Sequence, residues 1–291
     1  MTDTSMIIFH DPRAAEYSRA GHPDAASRIT RTGELLRERH PGWLWKLPEI
    51  ADGETLLRAH SAAHLARVAE PEGDFDADCP AYGGIYEHAA RASGAAVAAA
   101  RGALHGEAAF TLMRPPGHHA TRDRAMGFCY FNHMAVAALD ALRNGAERVA
   151  IWDFDAHHGN GTEAIIASNV GILFASVHQF PAYPGTGARS FGNVINIPLA
   201  PGTPREQHMS ALRDSLAQLL SFAPDLLLVS AGFDGYRGDP ITDMTLEHED
   251  FGTIGNWLHD ANVRTAAILE GGYSGELPEL IDHFLTAWRG N

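Results

Sequence analysis

The chain has 291 residues, of which 45% are apolar, and its formal net charge is −14. This acidic balance argues against non-specific binding to nucleic acid or anionic membranes and is compatible with cationic substrates. Cys79 and Cys129 are the only cysteines, so no disulfide framework is expected. The start, M-T-D-T-S-M-I-I-F-H, lacks the features of a signal peptide, and no apolar run is long enough to span a membrane. We therefore expect a cytoplasmic protein.

Short apolar runs alternate with helical patterns along the chain. The predicted strands are residues 6–9, 108–113, 149–154, 171–177, 194–198, 226–230 and 265–269. The predicted helices are residues 85–104, 133–143, 205–222, 246–261 and 277–288. This alternation predicts an α/β fold with a mostly parallel sheet covered by helices on both faces. Residues 70–82 are predicted to form an acidic surface loop, and no linker divides the chain, so we expect one domain over residues 1–291.

Polar residues follow or close five of the predicted strands. They are R-P-P-G-H-H at 114–119, D-F-D-A-H-H at 153–158, S-V-H at 176–178, S-A-G-F-D-G at 230–235 and E-G-G-Y at 270–273. In open parallel sheets, ligands bind outside the carboxyl ends of the strands. We therefore expect these five segments to converge on one site.

Asp155 and His157 have the spacing of two metal ligands, because alternate residues of an extended segment point the same way. Asp234, at another strand end, is the candidate third ligand. Two carboxylates and one imidazole leave a position for water and substrate, as in catalytic zinc sites, and also admit iron(II) or cobalt(II). The alternative is that Asp155 caps the following helix and His157 is a polar loop residue.

His118 and His119 are candidates for acid–base catalysis, since the two preceding prolines exclude regular structure at this point. One plausible arrangement pairs His118 with Asp153 and His119 with Asn160. The carboxylate would raise the basicity of His118, whereas the amide would orient His119 without a full charge. The alternative is a structural histidine pair bound to backbone carbonyls.

Tyr273 follows two glycines that allow a close approach to a ligand, so its phenol could donate to a developing oxyanion. Its alternative is a turn with a packed aromatic ring. Gly127, Phe128 and Phe180 are candidates for a channel wall, although such phenylalanines often belong to a core. The G-N-G-T segment at 159–162 lacks the lysine and spacing of a phosphate-binding P-loop, so it is only a weak indication.

In combination these motifs resemble the zinc-dependent histone deacetylase superfamily, from about residue 22 to residue 288. The matching segments are R-P-P-G-H-H, G-F-C-Y-F-N, D-F-D-A-H-H-G-N-G-T, Y-P-G-T-G, S-A-G-F-D and L-E-G-G-Y, in the family's order. The asparagine in H-H-G-N-G-T and the L-E-G-G-Y ending are similar to the class II branch and its bacterial relatives. The resemblance implies an arginase-like α/β fold and metal-dependent amide hydrolysis.

The resemblance also implies a role for each matching residue. The implied zinc ligands are Asp155, His157 and Asp234, the histidine pair is His118 and His119, and the transition-state donor is Tyr273. The implied potassium site comprises Asp153, Ser176 and Val177, with backbone groups of Asp155 and His157. Asp78 matches the rim aspartate that binds a peptide backbone, and Phe128 and Phe180 would flank the acyl-lysine tunnel. His119 would accept the proton of the attacking water while His118 tunes the pair.

Two substrate classes present the same amide on the same apolar stem: acyl-lysine peptides or proteins, and acetylated polyamines. Polyamine-preferring relatives carry a carboxylate at the rim, whereas the residue after Gly238-Asp239-Pro240 is the apolar Ile241. With Asp78, this favours acyl-lysine, although acidic residues of the 70–78 loop could reach a polyamine. The sequence does not predict the oligomeric state.

Two rival functions remain on the sequence alone. A dimanganese ureohydrolase of the arginase type would need further metal carboxylates, for which Asp239 and Asp243 are candidates that lack the expected D-x-D spacing. A non-enzymatic sensor of acyl groups or polyamines would use the same pocket without turnover. Metal stoichiometry and turnover, respectively, would distinguish these from a deacetylase.

Overall fold

A computed structural model of the chain describes residues 6–290, so residues 1–5, on which the signal-peptide prediction partly rests, and residue 291 lie outside it. The strands of this part are β1 (Ile7–Phe9), β2 (Leu44–Lys46), β3 (Ala109–Thr111), β4 (Val149–Asp153), β5 (Ile172–Gln179), β6 (Val194–Leu199), β7 (Leu226–Ala231) and β8 (Thr265–Leu269). They form one parallel sheet in the order β2-β1-β3-β8-β7-β4-β5-β6.

Helices and a short 3-10 turn (Pro12–Ala15) connect the strands. The helices are α1 (Ser27–Arg39), α2 (Gly53–Leu56), α3 (Ala62–Ala69), α4 (Ile85–Leu104), α5 (His133–Arg143), α6 (Asn160–Ile166), α7 (Arg205–Ser221), α8 (His248–Ala261) and α9 (Leu277–Trp288). Every residue of β4, β7 and β8 is buried, which requires helices on both faces of the sheet. The predicted α/β architecture with a parallel sheet is therefore confirmed.

The seven predicted strands are all present, with ends that differ by no more than two residues. β5 continues to Gln179, so Ser176 and Val177 lie inside this strand and do not end it. The sequence did not predict β2, an edge strand of three partly exposed residues. It also did not predict α1, α2, α3 or α6; the polar composition of α1 and the shortness of the other three explain why.

The sheet register brings the functional segments to one edge. Asp153, the last residue of β4, pairs with Ser176 of β5 on one side and Ser230 of β7 on the other. On the far side of β7, Thr111 of β3 lies opposite Ile268 of β8. The segments 114–119, 155–158, 232–235 and 270–273 therefore leave the sheet at the same carboxyl edge, as the sequence predicted.

Neither a disulfide nor a membrane-spanning helix occurs within residues 6–290. Cys79 and Cys129 are buried free thiols, and the Cys79 Sγ lies 3.7 Å from the carbonyl oxygen of Cys129. None of the described helices combines the length and the apolar character needed to cross a bilayer.

Candidate active site

Three potential metal ligands meet at the carboxyl ends of β4 and β7. One ligand atom each from Asp155, His157 and Asp234 lies within 4.8 Å of the other two. The His157 Nδ1 lies 2.8 Å from an Asp234 oxygen and 3.2 Å from an Asp155 oxygen. All three residues are buried. The structure thus brings together the three ligands that the sequence proposed.

The surroundings of this triad fit a divalent cation. Asp155 accepts the backbone N–H groups of Gly271 at 2.7 Å and of His157 at 2.8 Å, and Asp234 accepts that of Ala156 at 2.8 Å, which orients the carboxylates without neutralising them. A Cβ atom on Gly271 would collide with both carboxylates. Burial lowers the pKa of His157, but hydrogen bonds to Asp155 and Asp234 outweigh it and raise that pKa well above normal. The site thus attracts positive charge, and its oxygen and nitrogen ligand atoms suit zinc.

The two adjacent histidines have different partners. The His118 Nδ1 lies 3.1 Å from a carboxylate oxygen of Asp153, and the His119 Nδ1 lies 2.7 Å from the amide oxygen of Asn160. Their ring centroids are 4.0 Å apart, and both side chains are buried. These are the pairings proposed from the sequence.

The surroundings of the two histidines shift their pKa values in opposite directions. Burial lowers the pKa of His118, but the carboxylates of Asp155 and Asp153 outweigh it and raise that pKa to about 10. For His119, burial comes first and the neighbouring His118 and His157 add to it, so its pKa falls well below normal. One ring of the pair therefore favours the charged form and the other the neutral form.

Glu270 fixes the turn that carries this pair. Its carboxylate accepts the backbone N–H of Gly117 at 2.7 Å and of His118 at 3.0 Å. On the other side, the carbonyl oxygen of His118 accepts from the backbone of Gly161 at 3.0 Å and the Asn132 side chain at 3.3 Å. The histidine backbone is thereby bonded to three separate parts of the chain.

Tyr273 is positioned through its backbone and its ring. Its N–H donates to Asp239 at 2.7 Å, and the Arg28 guanidinium lies 4.7 Å from its ring centroid. The Arg28 Nε also donates to the carbonyl oxygen of Gly272 at 2.7 Å. Burial raises the pKa of the Tyr273 phenol well above normal, and the effect outweighs that of Arg28. The hydroxyl is therefore protonated at neutral pH and can donate a hydrogen bond.

A buried cluster of Asp24, Arg28 and Arg114 supports this arrangement. Asp24 accepts from Arg28 at 2.8 Å and from Arg114 at 2.9 Å, and all three side chains are buried. Arg114 also donates to the carbonyl oxygen of Ala14 at 2.8 Å. Although burial raises the pKa of Asp24, the two guanidinium groups outweigh it and lower that pKa. The cluster connects the segment before α1 to the loops of Tyr273 and of the histidine pair.

Replacing Asp24 with Asn is expected to lower the free energy of unfolding by about 3 kcal/mol, since two buried guanidinium groups lose their counter-charge. Because the folded-state pKa of Asp24 is lowered, its contribution is complete above the unfolded pKa of about 4 and is lost as the pH falls through the folded value. Urea denaturation at pH 7 and at lower pH measures this. The exposed Asp214→Asn serves as a control and should change stability by less than about 0.5 kcal/mol.

A cavity of about 470 Å³ lies above the triad. Its lining residues are Arg19, Ala20, Gly21, His22, Pro23, Ala77, Asp78, His119, Gly127, Phe128, His157, Tyr183, Ile241 and Tyr273. The cavity is therefore lined by a candidate metal ligand, one of the paired histidines and the candidate oxyanion donor. Four residues predicted to contact substrate also line it: Asp78, Gly127, Phe128 and Ile241.

Phe180 is the exception among the predicted wall residues, because it does not line this cavity in the described chain and Tyr183 does. β5 ends at Gln179, and the Phe180 N–H still donates to Leu199 of β6 at 2.7 Å, which keeps it along the sheet edge. The Tyr183 ring lies 5.1 Å from the His119 ring, nearly perpendicular to it. The signal for Tyr183 was its place directly before P-G-T-G in a family motif.

Gly127 and Phe128 adopt left-handed backbone conformations, with φ of 57° and 68°. A Cβ on residue 127 would lie 2.5 Å from the His119 ring, so only glycine fits there. Phe128 adopts this strained conformation with a full side chain, and its ring packs against His22 and Tyr273 at 4.7 and 5.6 Å. Backbone strain of this kind clusters at ligand sites.

The residues of the predicted potassium site lie on β4 and β5, where Asp153 pairs with Ser176. Asp153 accepts the Asp155 N–H at 3.1 Å, and the Ser176 hydroxyl lies 2.9 Å from His178 Nδ1. Val177 follows in the same buried strand. The potassium site stays a prediction.

The acidic 70–78 loop contributes less to the cavity than its composition suggests. Asp78 is its only acidic residue among those that line the cavity in the described chain. Asp74 forms two hydrogen bonds with Arg19, Asp76 lies 3.8 Å from Arg124, and Glu70 and Glu72 line a separate hollow.

Asp239 and Asp243, the carboxylates considered for a second metal, do not belong to the cluster of Asp155, His157 and Asp234. Asp239 accepts the backbone N–H groups of Tyr273 and Ile241 at 2.7 and 3.1 Å, and Asp243 is exposed. Within residues 6–290, the cluster with metal-ligand geometry is the triad of Asp155, His157 and Asp234. This geometry offers one candidate metal site, and neither Asp239 nor Asp243 belongs to it.

Comparison with known proteins agrees with this geometry. The sequence profile of the histone deacetylase domain matches residues 22–287. A probable deacetylase of Archaeoglobus fulgidus is 35% identical over 94% of this chain and 82% of its own. Acetylpolyamine amidohydrolase 1 of Pseudomonas aeruginosa is 37% identical over 94% of this chain and 77% of its own. The crystal structure of the HDA15 HD domain superposes with a TM-score of 0.91 and 29% identity, over 98% and 90% of the two chains.

The chain belongs to the histone deacetylase family. It is accordingly a hydrolase of the deacetylase and amidohydrolase class, for which the family implies a divalent metal, and its fold is the arginase-like α/β fold expected from the motifs. The identity of the metal and of the acylated substrate is a separate question.

Several residues that shape the site were not singled out by the sequence. They are Arg19, Arg28, Tyr183 and Glu270. Glu270 lies in a segment already recognised as a motif, so its position beside a glycine-rich turn was an available signal. Arg28 had none, because its contact with Gly272 joins residues 244 positions apart. Asp239 was considered only as a ligand of a second metal, whereas it binds the backbone of Tyr273.

Proposed function

We propose that this chain removes acetyl or other short acyl groups from the side-chain amine of acyl-lysine in peptides or proteins. The observation that carries the proposal is the cavity in which His119, His157 and Tyr273 meet beneath the aromatic walls of Phe128 and Tyr183. Such a cavity accepts an alkyl stem and presents its amide to acid–base groups and a metal site.

Asp155, His157 and Asp234 are the proposed ligands of one zinc ion, with iron(II) or cobalt(II) as alternatives. When bound there, the metal would polarise the amide carbonyl and lower the pKa of a water molecule towards about 7. Asp153, Ser176 and Val177 are the proposed ligands of a structural potassium ion beneath this site.

His119 is the proposed general base. Its Nδ1–H donates to the Asn160 oxygen, which leaves the lone pair of Nε2 free to accept the proton of the attacking water. His118, bonded through Nδ1 to Asp153, tunes the pKa of the neighbouring His119 electrostatically. The proton accepted by the pair is then donated to the leaving lysine amine.

Tyr273 is the proposed donor to the amide oxygen as negative charge develops on it. Its backbone is held by Asp239 and its ring by Arg28, so the hydroxyl is pre-positioned and loses little entropy during the reaction. Phe128 packs against Tyr273 and provides an apolar surface for the alkyl stem.

Asp78 is the proposed acceptor for the substrate's main-chain N–H groups. It lines the cavity, and its hydrogen bonds with His22 and Asp76 use its backbone, so the carboxylate stays available. Ile241, which is 38% exposed at the same rim, offers no charge to a second ammonium group. A peptide therefore suits this rim better than a polyamine.

Acetylpolyamine hydrolysis is the second candidate, favoured by the similarity to acetylpolyamine amidohydrolase 1 of Pseudomonas aeruginosa. A competition assay between an acetyl-lysine peptide and acetylated putrescine or spermidine distinguishes the two. We expect a higher kcat/KM for the peptide. A preference of more than about 100-fold for the polyamine, equivalent to ~2.7 kcal/mol, would reverse the assignment.

A further inference from the structure

We propose that Arg19 determines substrate specificity by binding a carboxylate at the far end of an acyl-lysine, so that the preferred substrates are free or carboxyl-terminal acyl-lysine. This inference rests on the proposed deacetylation of acyl-lysine. It assigns a role to a cation that lines the cavity and takes no part in the chemistry.

Arg19 is anchored at the mouth of the cavity although its side chain is 46% exposed. Its Nη1 and Nη2 donate to the two Asp74 oxygens at 2.7 and 3.0 Å, and Asp74 in turn accepts the Ala81 N–H at 2.8 Å. The guanidinium also lies 6.0 Å from the Tyr82 ring centroid. Two of its five N–H donors are engaged by Asp74, which leaves the Nε edge for a ligand.

The charges at the mouth have opposite signs. Apart from histidines, Arg19 and Asp78 are the basic and the acidic residue of the lining within the described part of the chain. The two segments are connected, because the His22 ring lies 3.2 Å from the carbonyl oxygen of Asp78. The mouth therefore presents one cation and one anion to the same substrate end.

This pair of charges matches an amino acid and not a polyamine. Beyond its alkyl stem, free acyl-lysine carries a carboxylate and an amine on one carbon, which suit Arg19 and Asp78 respectively. A carboxyl-terminal acyl-lysine carries the same carboxylate and a main-chain N–H. A polyamine carries only ammonium groups, so it has no carboxylate that could accept from the free Nε edge of Arg19. A volume of about 470 Å³ is sufficient for such a small ligand.

The test uses two substrates that differ by one carboxylate: Nε-acetyl-lysine and N-acetylcadaverine. N-butylacetamide, which is uncharged, provides the reference rate for amide cleavage. For each substrate, kcat/KM is measured with the metal-loaded wild type, Arg19→Gln, Arg19→Glu and the control Arg213→Gln. Arg213 is an exposed arginine of α7 that does not line the cavity, and its replacement by Gln removes the same charge from the chain as Arg19→Gln.

We expect the wild type to prefer Nε-acetyl-lysine over N-acetylcadaverine by at least about tenfold, the lower end for a hydrogen bond to a charged group. Arg19→Gln should reduce this ratio about tenfold, Arg19→Glu should invert it, and Arg213→Gln should leave it within about twofold. If the ratio of the two kcat/KM values is unchanged in both Arg19 variants and N-butylacetamide is still cleaved, the role of Arg19 is overturned. The proposed function is then unaffected. If the wild type cleaves none of the three, the proposed function fails and this role fails with it.

Discussion

Replacing Asp234 with Asn is expected to weaken divalent-metal binding by more than about 100-fold and to reduce kcat/KM below about 1% of wild type. The substitution removes one of two anionic ligands from a buried site, and loss of an outer partner of a ligand already costs about 10–100-fold in affinity. Metal content after dialysis, measured by elemental analysis, and hydrolysis of an acetyl-lysine peptide provide the two readouts.

The matched control for this experiment is Asp243→Asn, an identical change nine positions further along the same segment. Asp243 is exposed and is not one of the three clustered ligands. It should retain one equivalent of metal and full activity. Retention of metal and activity by the Asp234 variant would show that this residue is not a ligand.

Replacing Tyr273 with Phe is expected to lower kcat by about 10²–10³ without changing the metal content. The change removes a hydroxyl that donates to the developing oxyanion, and the loss of one such donor typically has this magnitude. The ring contacts with Arg28 and Phe128 are retained by phenylalanine, so the fold and the cavity should persist. Steady-state kinetics on an acetyl-lysine peptide measures the effect.

Tyr236→Phe is the control for this second experiment. Tyr236 lies between Asp234 and Asp239 but does not line the cavity in the described chain, and its ring packs against His248 at 5.1 Å. Its kcat should stay within about twofold of wild type. If the kcat of the Tyr273 variant fell by less than about fivefold, oxyanion stabilisation would have to come from other groups.

The sheet was largely predictable because its central strands are continuous apolar runs. β4 and β8 are buried over their whole length, and their sequences V-A-I-W-D and T-A-A-I-L give strong signals. β2 gave no such signal, since L-W-K is a three-residue edge strand with two exposed side chains. The helix α1 was missed because Arg28, Thr32 and Gly33 interrupt its buried apolar face. Buried elements thus give a clear hydrophobic pattern in the sequence, whereas exposed edge elements do not.

The chemical centre was predictable for a different reason. The candidate ligands and the histidine pair lie in the segments that follow β3, β4 and β7, so the strand positions placed Asp155, His157 and His118 at one edge. The support of the site was not predictable, because contacts such as Arg28 with Gly272 join distant parts of the chain. The same holds for Arg19, whose position at the mouth depends on the path of the 70–82 loop.

The most direct test of a single metal centre is reconstitution of the metal-free protein with zinc, followed by hydrolysis of an acetyl-lysine peptide. Activity should rise linearly with added zinc and reach its plateau at one equivalent per chain. A plateau at two equivalents, or full activity without added or residual divalent metal, would contradict a mononuclear site formed by Asp155, His157 and Asp234.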